Sequence, residues 1–420
     1  MMPKQSDSTT TKKAGLQVPR PLRVREQSWP IVHVEVPGRN LWRNPSATSA
    51  VVNHALYKAI GRVHDGGISG RTLLKVHIGE PKCVTRMRPE YMIGSLRFAR
   101  ENGAVEVVAG DTTVAYSGPR GHKDNPPADV SAYLELARKH GWSRGGPAGL
   151  PFVVLDRPGT GTSDEFTFTQ RAERRQIEGI NCFNDFFLAG GFAAADFVVN
   201  HAHLTLHGLA GLAGCVKSIA MGCSGLTGKL RMHQSLLPIF DAERCVRCGQ
   251  CVDSCPQGAL QLRENDSHPT VEPELCIGCG ECEAVCAMSK EAIRLQCHDI
   301  SDWQRGNETL PMRMADYAVG IMNDKWDSTV HVLHMYAVTR RCDCVDVRQQ
   351  PLIETDLGFL VGKNPFAIDK LAGQLLHEAA ERESQPIENS LLEAAETTAG
   401  YVQQAYGILD EVPIEKMVVS

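Results

Sequence analysis

Two cysteine runs near the middle of the chain decide how the sequence is interpreted: "CVRCGQCVDSCP" at residues 245–256 and "CIGCGECEAVCA" at residues 276–287. Both runs have the spacing C-x2-C-x2-C-x3-C. Cubane iron–sulfur clusters are held by cysteine thiolates, one for each iron, and this close spacing suits three corners of one cluster. The spacing therefore predicts two 4Fe–4S clusters in a module over residues 238–297.

The fourth ligand of each cluster has to come from outside the three closely spaced cysteines. In ferredoxins with two clusters it is the last cysteine of the other run. The first cluster should then use Cys245, Cys248, Cys251 and Cys286, and the second should use Cys276, Cys279, Cys282 and Cys255. Structural zinc is the alternative, but it needs only two C-x2-C pairs and leaves the third close cysteine of each run unexplained.

Composition places the chain among ordinary globular proteins with metal-ligand cysteines. It has 420 residues, 42 % hydrophobic residues, a net charge of -5 and fifteen cysteines. Cysteines in metal-ligand spacing indicate a reducing compartment, and the mild acidity argues against nucleic acid as a partner. No secretory signal and no run of 18 apolar residues is present, which predicts a cytoplasmic protein without a membrane span. The polar residues 1–28 are expected to be a disordered tail.

Short apolar runs alternate with amphipathic stretches on both sides of the cysteine runs. Strand patterns such as "IVHVEV" (31–36) and "VEVVAGD" (105–111) alternate with helical patterns such as "DVSAYLELARKHG" (129–141). This alternation predicts an α/β fold, a mostly parallel sheet with helices on both faces. Because the pattern resumes after the cysteines, we expect a small α+β ferredoxin-like module inserted between two parts of the α/β domain, residues 29–237 and 298–420.

Polar residues follow two predicted strands at the point where ligands bind in parallel sheets. "KVHIGEP" places His77 and Glu80 after one strand, and "AGDTT" places Asp111 at the end of the next. The carboxyl ends of neighbouring parallel strands meet at one edge of the sheet, which predicts a shared site. The alternative is that these are solvated loop residues.

A segment rich in glycine, alanine and histidine, residues 200–228, precedes the cysteine runs. Its weak periodicity predicts either a packed stretch of small residues or a loop that a ligand approaches closely. It contains His207 and Lys217, and its "GCSGLTGK" lacks the spacing of a phosphate-binding loop. Further along, Cys342 and Cys344 form "CDC", and in an extended segment both side chains face one side. They could form a redox pair or bind an additional metal near His207, or they could be buried structural cysteines.

Several long motifs resemble those of the iron–sulfur proteins built on domain of unknown function 362. They include "LLKVHIGEP", "GDTTVAYSGPRGH", the cysteine runs, "RMADYAVGI", "CDC" and "TDLGFLVGKNPFAIDKL", between residues 31 and 377. The resemblance implies an α/β domain with an inserted two-cluster ferredoxin, but no substrate. The shorter "GLAGCVKSIAMG" is similar to the lysine segment of lactate racemase and its nickel-pincer relatives, which implies that Lys217 helps to line a pocket.

These observations favour an oxidoreductase. We expect low-potential electrons from the clusters, delivered by a redox partner protein, to reach an unknown small-molecule substrate at a site with His77, Glu80, Asp111 and Lys217 as catalytic residues. His77, Glu80 and Lys217 are the residue types that supply protons. An electron carrier, or a metal- or cofactor-assembly protein without its own substrate, is the alternative. Neither nucleic acid nor a membrane is expected as a partner.

Overall fold

A computed structural model describes most of the chain outside the N-terminal tail and parts of the cysteine runs. The described residues are 20–23, 29–38, 40–114, 118–122, 124–125, 129–159, 166–208, 210–233, 237–255, 258–272, 275–276, 282, 285–286, 292–295 and 310–419. The predicted cluster ligand Cys279 therefore lies outside the described residues, as does most of the predicted tail. Within that tail, Arg20–Pro21 is not irregular but forms a short strand.

The strands and helices are numbered here along the chain. The strands are β1 (Arg20–Pro21), β2 (Ile31–Glu35), β3 (Arg71–Lys75), β4 (Glu106–Asp111), β5 (Phe152–Val154), β6 (Ala172–Glu178), β7 (Asp185–Ala189), β8 (Phe197–His203), β9 (Thr205–His207), β10 (Gly211–Ala213), β11 (Pro238–Phe240), β12 (Leu260–Gln261), β13 (Thr270–Val271), β14 (Ile293–Leu295), β15 (Thr329–Met335), β16 (Gly358–Gly362) and β17 (Ile414–Val418). The helices are α1 (Pro45–Val63), α2 (Ile93–Glu101), α3 (Ser131–Lys139), α4 (Gly190–Ala194), α5 (Cys215–Ala220), α6 (Leu226–Met232), α7 (Gln250–Asp253), α8 (Leu310–Met322), α9 (Pro365–Arg382) and α10 (Asn389–Tyr406), with a 3-10 turn at Pro89–Met92.

Eight strands form the central sheet in the order β17-β2-β16-β15-β8-β3-β4-β5. All neighbours pair in parallel except β16, which is antiparallel to both β15 and β2. The central strands are buried along their whole length, as expected for a sheet covered on both faces. The predicted α/β fold with a mostly parallel sheet is confirmed.

Helices cover both faces of this sheet. Leu74 on β3 packs into one apolar cluster with α1, α2 and α3, whereas its neighbour Leu73 packs into another with α5 and α8. A third cluster holds α9 and α10 against the strands near Leu333. Successive side chains of a strand point to opposite faces, so the continuous apolar runs of the sequence serve two cores.

Between β3 and β8 the chain switches from adding strands on one side of the sheet to adding them on the other, and such a position is where ligands bind. From β3 the chain continues to β4 and β5 on one side, and it then returns to β8 and β15 on the other. In open α/β sheets ligands bind at such a switch point, outside the carboxyl ends of the strands. Lys75, Asp111 and His203 end β3, β4 and β8 at this edge.

Three features of the fold differ from the sequence expectation or go beyond it. The glycine-rich segment was predicted to be a packed stretch of small residues or a loop. It instead contains the hairpin β9–β10, the short helix α5 and the start of the short helix α6. An antiparallel hairpin, β6–β7, follows the first half of the sheet. The C-terminal strand β17 closes the sheet beside β2. None of these has a strong apolar period of its own.

The cysteine module begins and ends with paired strands. β11 and β14 pair in antiparallel fashion, which places Pro238 opposite Leu295. The chain thus leaves and re-enters the rest of the fold at neighbouring points, and β15, which follows the module, pairs with β8, which precedes it. The division into a module and two flanking parts stays a prediction. Among the helices of the described residues, none is long and apolar enough to cross a membrane.

Candidate functional site

A cavity of about 310 Å³ opens at the carboxyl edge of the sheet beside β3 and β8. Its polar lining comprises Lys75, His77, Asp111, Thr112, Arg120, His203, Thr205, His207, Lys217, Ser218, Lys229, His233, Cys342, Asp343 and Cys344. The structure thus brings together His77, Asp111, His207, Lys217 and both cysteines of "CDC" from distant parts of the sequence. Of the four predicted catalytic residues, Glu80 alone is not part of this lining, but it accepts a hydrogen bond from Arg120, which is.

The Arg120 guanidinium holds the acidic side of the site together. Its Nη1 donates to Glu80 Oε1 at 2.7 Å and its Nη2 to Asp111 Oδ2 at 2.9 Å, and all three side chains are buried. Asp111 also accepts a hydrogen bond from Lys75 Nζ at 3.1 Å. Burial favours the neutral form of Asp111, but Lys75 and Arg120 outweigh it and hold the pKa of this carboxyl well below its usual range. Asp111 is therefore a carboxylate and has no proton to give at neutral pH.

His77 is held as a neutral imidazole against this cluster. The Gly79 N–H donates to its Nδ1 at 3.0 Å, and Arg120 Nη1 lies 3.3 Å from its Nε2. Burial first, and then the charge of Arg120, lower the pKa of His77 to about 3. His77 thus carries no charge at neutral pH. The sequence suggested His77 as a proton source, but this surrounding suits a hydrogen-bonding and positioning role better.

Lys217 contacts both cysteines of "CDC". Its Nζ donates to Cys342 Sγ at 3.0 Å and to Cys344 Sγ at 3.6 Å, and the Cys344 N–H donates to Cys342 Sγ at 3.3 Å. The hydrogen bond from Cys344 lowers the pKa of the Cys342 thiol, and the Lys217 ammonium acts in the same direction against burial. The same hydrogen bond between the two thiol side chains, together with burial, raises the pKa of Cys344. The pair is therefore one thiolate and one thiol beside an ammonium group.

His207 completes a group that could hold a metal ion. Its ring nitrogen and the sulfurs of Cys342 and Cys344 all lie within 4.8 Å of one another. Burial and the nearby Lys217 charge lower the pKa of His207, which keeps the imidazole neutral, as a metal ligand must be. The additional metal suggested near these residues thus has a matching set of ligand atoms.

The middle residue of "CDC" anchors the cysteine pair. Asp343 accepts a hydrogen bond from His203 Nδ1 at 2.7 Å, and the Cys83 thiol donates to its other oxygen at 3.1 Å. His203 Nε2 lies 2.8 Å from the carbonyl oxygen of Tyr336, so both ring nitrogens face acceptors. Burial opposes charge on His203, but Asp343 outweighs it and raises the pKa of the imidazole. His203 and Asp343 form a buried ion pair.

A buried carboxyl group fixes the helix that carries Lys217. Asp369 accepts hydrogen bonds from the N–H groups of Cys215 and Val216, at 2.7 and 2.9 Å, at the start of α5. Burial raises the pKa of Asp369 to about 7. A Cβ at Gly214 would collide with the Asp369 carboxyl group, and one at Gly222 would lie 2.8 Å from Lys75 Nζ. Glycine in this segment therefore permits close packing around α5.

The first cysteine run lines a separate small cavity. Its lining includes Cys245, Cys248, Cys251 and Cys286, but not Cys255. The Ala292 N–H donates to Cys286 Sγ at 3.1 Å and the Ala259 N–H to Cys255 Sγ at 3.2 Å.

Two important residues were not singled out from the sequence. Arg120 lies in a polar loop and Asp343 between two cysteines, and neither has a periodic or spacing signal of its own. The one signal in the sequence was that both residues lie in motifs that resemble those of the family, "GDTTVAYSGPRGH" and "CDC". Their roles depend on partners 40 and 140 residues away, Glu80 and His203.

The chain belongs to the family described as Domain of unknown function (DUF362), which matches residues 72–374. The matched range contains both cysteine runs and every residue of the cavity described above. The family description names no activity. A comparison with curated proteins found no match.

Proposed function

We propose that this member of the DUF362 family is an iron–sulfur redox protein, and that it reduces a small molecule in the cavity beside β3 and β8. When bound, two 4Fe–4S clusters would supply low-potential electrons one at a time. A redox partner protein would deliver those electrons. The inserted ferredoxin-like module over residues 238–297 is part of the same proposal.

One observation carries the iron–sulfur part of the proposal: the small cavity of the module is lined by Cys245, Cys248, Cys251 and Cys286. These are three cysteines of one run and the last of the other, the interleaved set of a two-cluster ferredoxin. A cluster held within one run would need Cys255 in place of Cys286. The second set would be Cys276, Cys279, Cys282 and Cys255, of which Cys279 lies outside the described residues.

The chain's own residues give the larger cavity the properties that a reduction needs. Arg120 binds the buried side chains of Glu80 and Asp111 and so positions them, and the Asp111 carboxylate holds no proton for transfer. The groups of the lining that carry protons are instead lysines, the His203 imidazole and the Cys344 thiol, and Lys217 donates to the sulfur of Cys342. The lining combines these charges with alanine, leucine and methionine side chains, which suits an organic substrate.

The iron–sulfur part is tested by anaerobic purification of the full chain with metal and sulfide analysis. We expect about eight iron and about eight sulfide per chain, four of each per cluster. An electron paramagnetic resonance spectrum of the reduced protein should show 4Fe–4S signals. Stoichiometric zinc with no iron in anaerobic preparations would overturn this part.

The reductase part is tested by reducing the protein with dithionite and following its re-oxidation by a panel of small molecules. Lys217→Ala and His77→Ala should hold the same iron as the wild type but be re-oxidised more slowly, by at least about tenfold if they remove one well-placed interaction. If both variants are re-oxidised at the wild-type rate by every compound, the chain is better described as an electron carrier without its own substrate.

The His207–Cys342–Cys344 group favours a second candidate, a protein that handles a metal or assembles a cofactor. Two sulfurs and an imidazole suit a thiophilic metal such as zinc or copper. Under this candidate, anaerobic protein should contain a further metal beside the iron, and Cys342→Ser with Cys344→Ser should lose it while the iron content is unchanged. Identical metal contents in the two proteins would rule this candidate out.

A further inference from the structure

Lys229 is a cation of the large cavity that forms no ion pair with any of the described residues. Its Nζ donates to Thr112 Oγ1 at 2.9 Å and to the Ser224 carbonyl oxygen at 2.5 Å. Only 7 % of the residue is exposed. Among the described residues, no carboxylate oxygen lies within 4.0 Å of this nitrogen. A buried ammonium group without a counter-charge is costly, so such a site attracts an anion.

The two carboxylates that act on Lys229 from a longer distance are already bound to other groups. Asp111 accepts hydrogen bonds from Lys75 and Arg120, and Asp156 accepts one from Thr113 and lies 3.2 Å from Arg157. Neither is a direct partner of the Lys229 ammonium group, so an anionic ligand in the cavity could take that place.

Two further polar atoms of the same lining lack partners among the described residues. They are Thr205 Oγ1 and His233 Nδ1, and Thr205 is only 1 % exposed. Buried polar atoms in folded proteins are nearly always hydrogen-bonded, so each of these two atoms has capacity for a polar group of a ligand or for an ordered water. The hydrogen-bonding capacity of these two atoms is an observation separate from the charge on Lys229.

We infer that the cavity binds a small organic carboxylate whose charged group is held by Lys229. This inference rests on the proposed function, because it names the substrate class for the same cavity. The volume of about 310 Å³ lies at the lower end of small-molecule sites. Apolar lining residues, among them Val114, Leu310 and Met314, suit the carbon skeleton of the ligand. A phosphate group carries more charge and usually needs arginine or several backbone N–H groups, and Arg120 is already bound to two carboxylates.

The test measures binding of defined anions to the full anaerobic chain by isothermal titration calorimetry, without a reductant. The probes are acetate, malonate, succinate, benzoate and inorganic phosphate. Lys229→Met removes the ammonium group and keeps most of the side-chain volume. Lys325→Met is the matched control, because Lys325 is also buried and bonded to a carbonyl oxygen, that of Ala195, but lies outside the cavity lining.

We expect at least one carboxylate to bind the wild type and the Lys325 variant equally, and to bind the Lys229 variant at least about tenfold more weakly, as for a lost charge-assisted hydrogen bond. Equal affinity for the Lys229 variant would overturn the inference, as would tighter binding of phosphate than of every carboxylate. Circular dichroism establishes that both variants fold, which is expected because neither loses a charged partner.

The wild type provides a second readout that needs no variant. Burial, and to a smaller extent the charge of Lys75, lower the pKa of Lys229 to about 8. Asp156, Asp111 and Cys223 face the same ammonium group and act in the opposite direction. Carboxylate affinity should fall as the pH rises from about 6 to about 10, two units on either side of that pKa, because the ammonium form is lost. An affinity that stays constant over this range contradicts the inference. Iron content and re-oxidation rates, which test the proposed function, are not used in either readout.

Discussion

In the sheet region buried charges are balanced by one another within large apolar cores, whereas the described part of residues 238–295 has one small apolar cluster, in which two of the buried residues are cysteines. Arg120, which is 2 % exposed, is surrounded by acceptors and lies beside extensive clusters of aliphatic and aromatic residues. The described core of the cysteine module consists of Cys251, Leu260, Cys282 and Ile293, with a few half-buried neighbours. Two of these four core residues are predicted cluster ligands.

This difference indicates two sources of stability in one chain. The sheet region buries enough apolar surface to fold by the hydrophobic effect, at about 25 cal/mol for each Å². A module of about sixty residues with so small a core usually needs metal ligands or disulfides to fold. We therefore expect the two regions to respond differently to the same treatments, and the following experiments separate them.

The largest expected effect is that of iron removal. Treating the anaerobic protein with ferricyanide and a chelator should unfold residues 238–295, because the module then loses the bonds that hold its ligands together. Hydrogen exchange measured by mass spectrometry should show complete loss of protection there and unchanged protection in β3, β8 and β15. Equal protection of both regions after complete iron loss would mean that the module folds without metal.

Deleting residues 238–297 and joining the ends through a short glycine linker should remove the iron and leave the sheet region folded. The pairing of β11 with β14 brings the two ends of the module together, so a short linker can replace it. The thermal transition of the variant measured by circular dichroism is the check. Recovery of residues 298–420 as a stable, separately folded proteolytic fragment would contradict the insertion.

Arg120→Met should destabilise the sheet region by about 3–5 kcal/mol, because the buried side chains of Glu80 and Asp111 both lose their hydrogen bonds to the guanidinium, and Asp111 keeps only Lys75 as a charged partner. Urea unfolding followed by circular dichroism gives this value. Arg97→Met is the matched control, since Arg97 forms a solvent-exposed pair with Glu101 on one helix, and the loss of such a pair changes stability little. If the two variants lose similar amounts of unfolding free energy, Arg120 does not stabilise the buried carboxylates as described.

Cys286→Ser and Cys255→Ser distinguish interleaved ligands from ligands within one run. Under interleaving, Cys286→Ser should lose the cluster of the first run, and the iron content should fall by about half. The matched change Cys255→Ser should damage the other cluster and leave the first intact, as judged by electron paramagnetic resonance. If Cys286→Ser instead damages the cluster of its own run, the interleaved assignment is wrong.

The smallest expected effect is a pH dependence within the sheet region. The pKa of Asp369 is about 7 in the folded protein and lower in the unfolded chain, so the folded state holds the proton more tightly. The protonated Asp369 side chain stabilises the folded state fully at pH values below the pKa of the unfolded chain. This stabilisation is lost as the pH rises to about 7, and it amounts to about 1.4 kcal/mol for each unit by which the folded and unfolded pKa values differ. Asp369→Asn should be less stable throughout but show a flatter stability profile between about pH 4 and 7. An unchanged profile would contradict this assignment.

Elements with a strong period were predicted closely. "VEVVAGD" predicted a strand over residues 105–111 and the strand covers Glu106–Asp111, and "DVSAYLELARKHG" predicted a helix over residues 129–141 and the helix covers Ser131–Lys139. The shared edge for His77 and Asp111 also followed from the sequence, because parallel strands end on the same side. The short elements between His203 and Leu237 were not predicted, since their form depends on packing against α9 and α10 rather than on a local pattern.

By itself, the sequence determined the class of the fold and the ligand types of the cysteine runs, because periods of two and 3.6 residues and close cysteine spacings are local properties of the chain. Only the tertiary structure decided which charges are paired and which remain available. Lys217 meets Cys342 across 125 residues and His203 meets Asp343 across 140 residues. The crossovers of the sheet decide such meetings, and burial in the resulting cavity then sets the protonation of each group. In the described part of the chain they leave Lys229 bonded to a hydroxyl and a carbonyl oxygen, with no carboxylate at ion-pair distance.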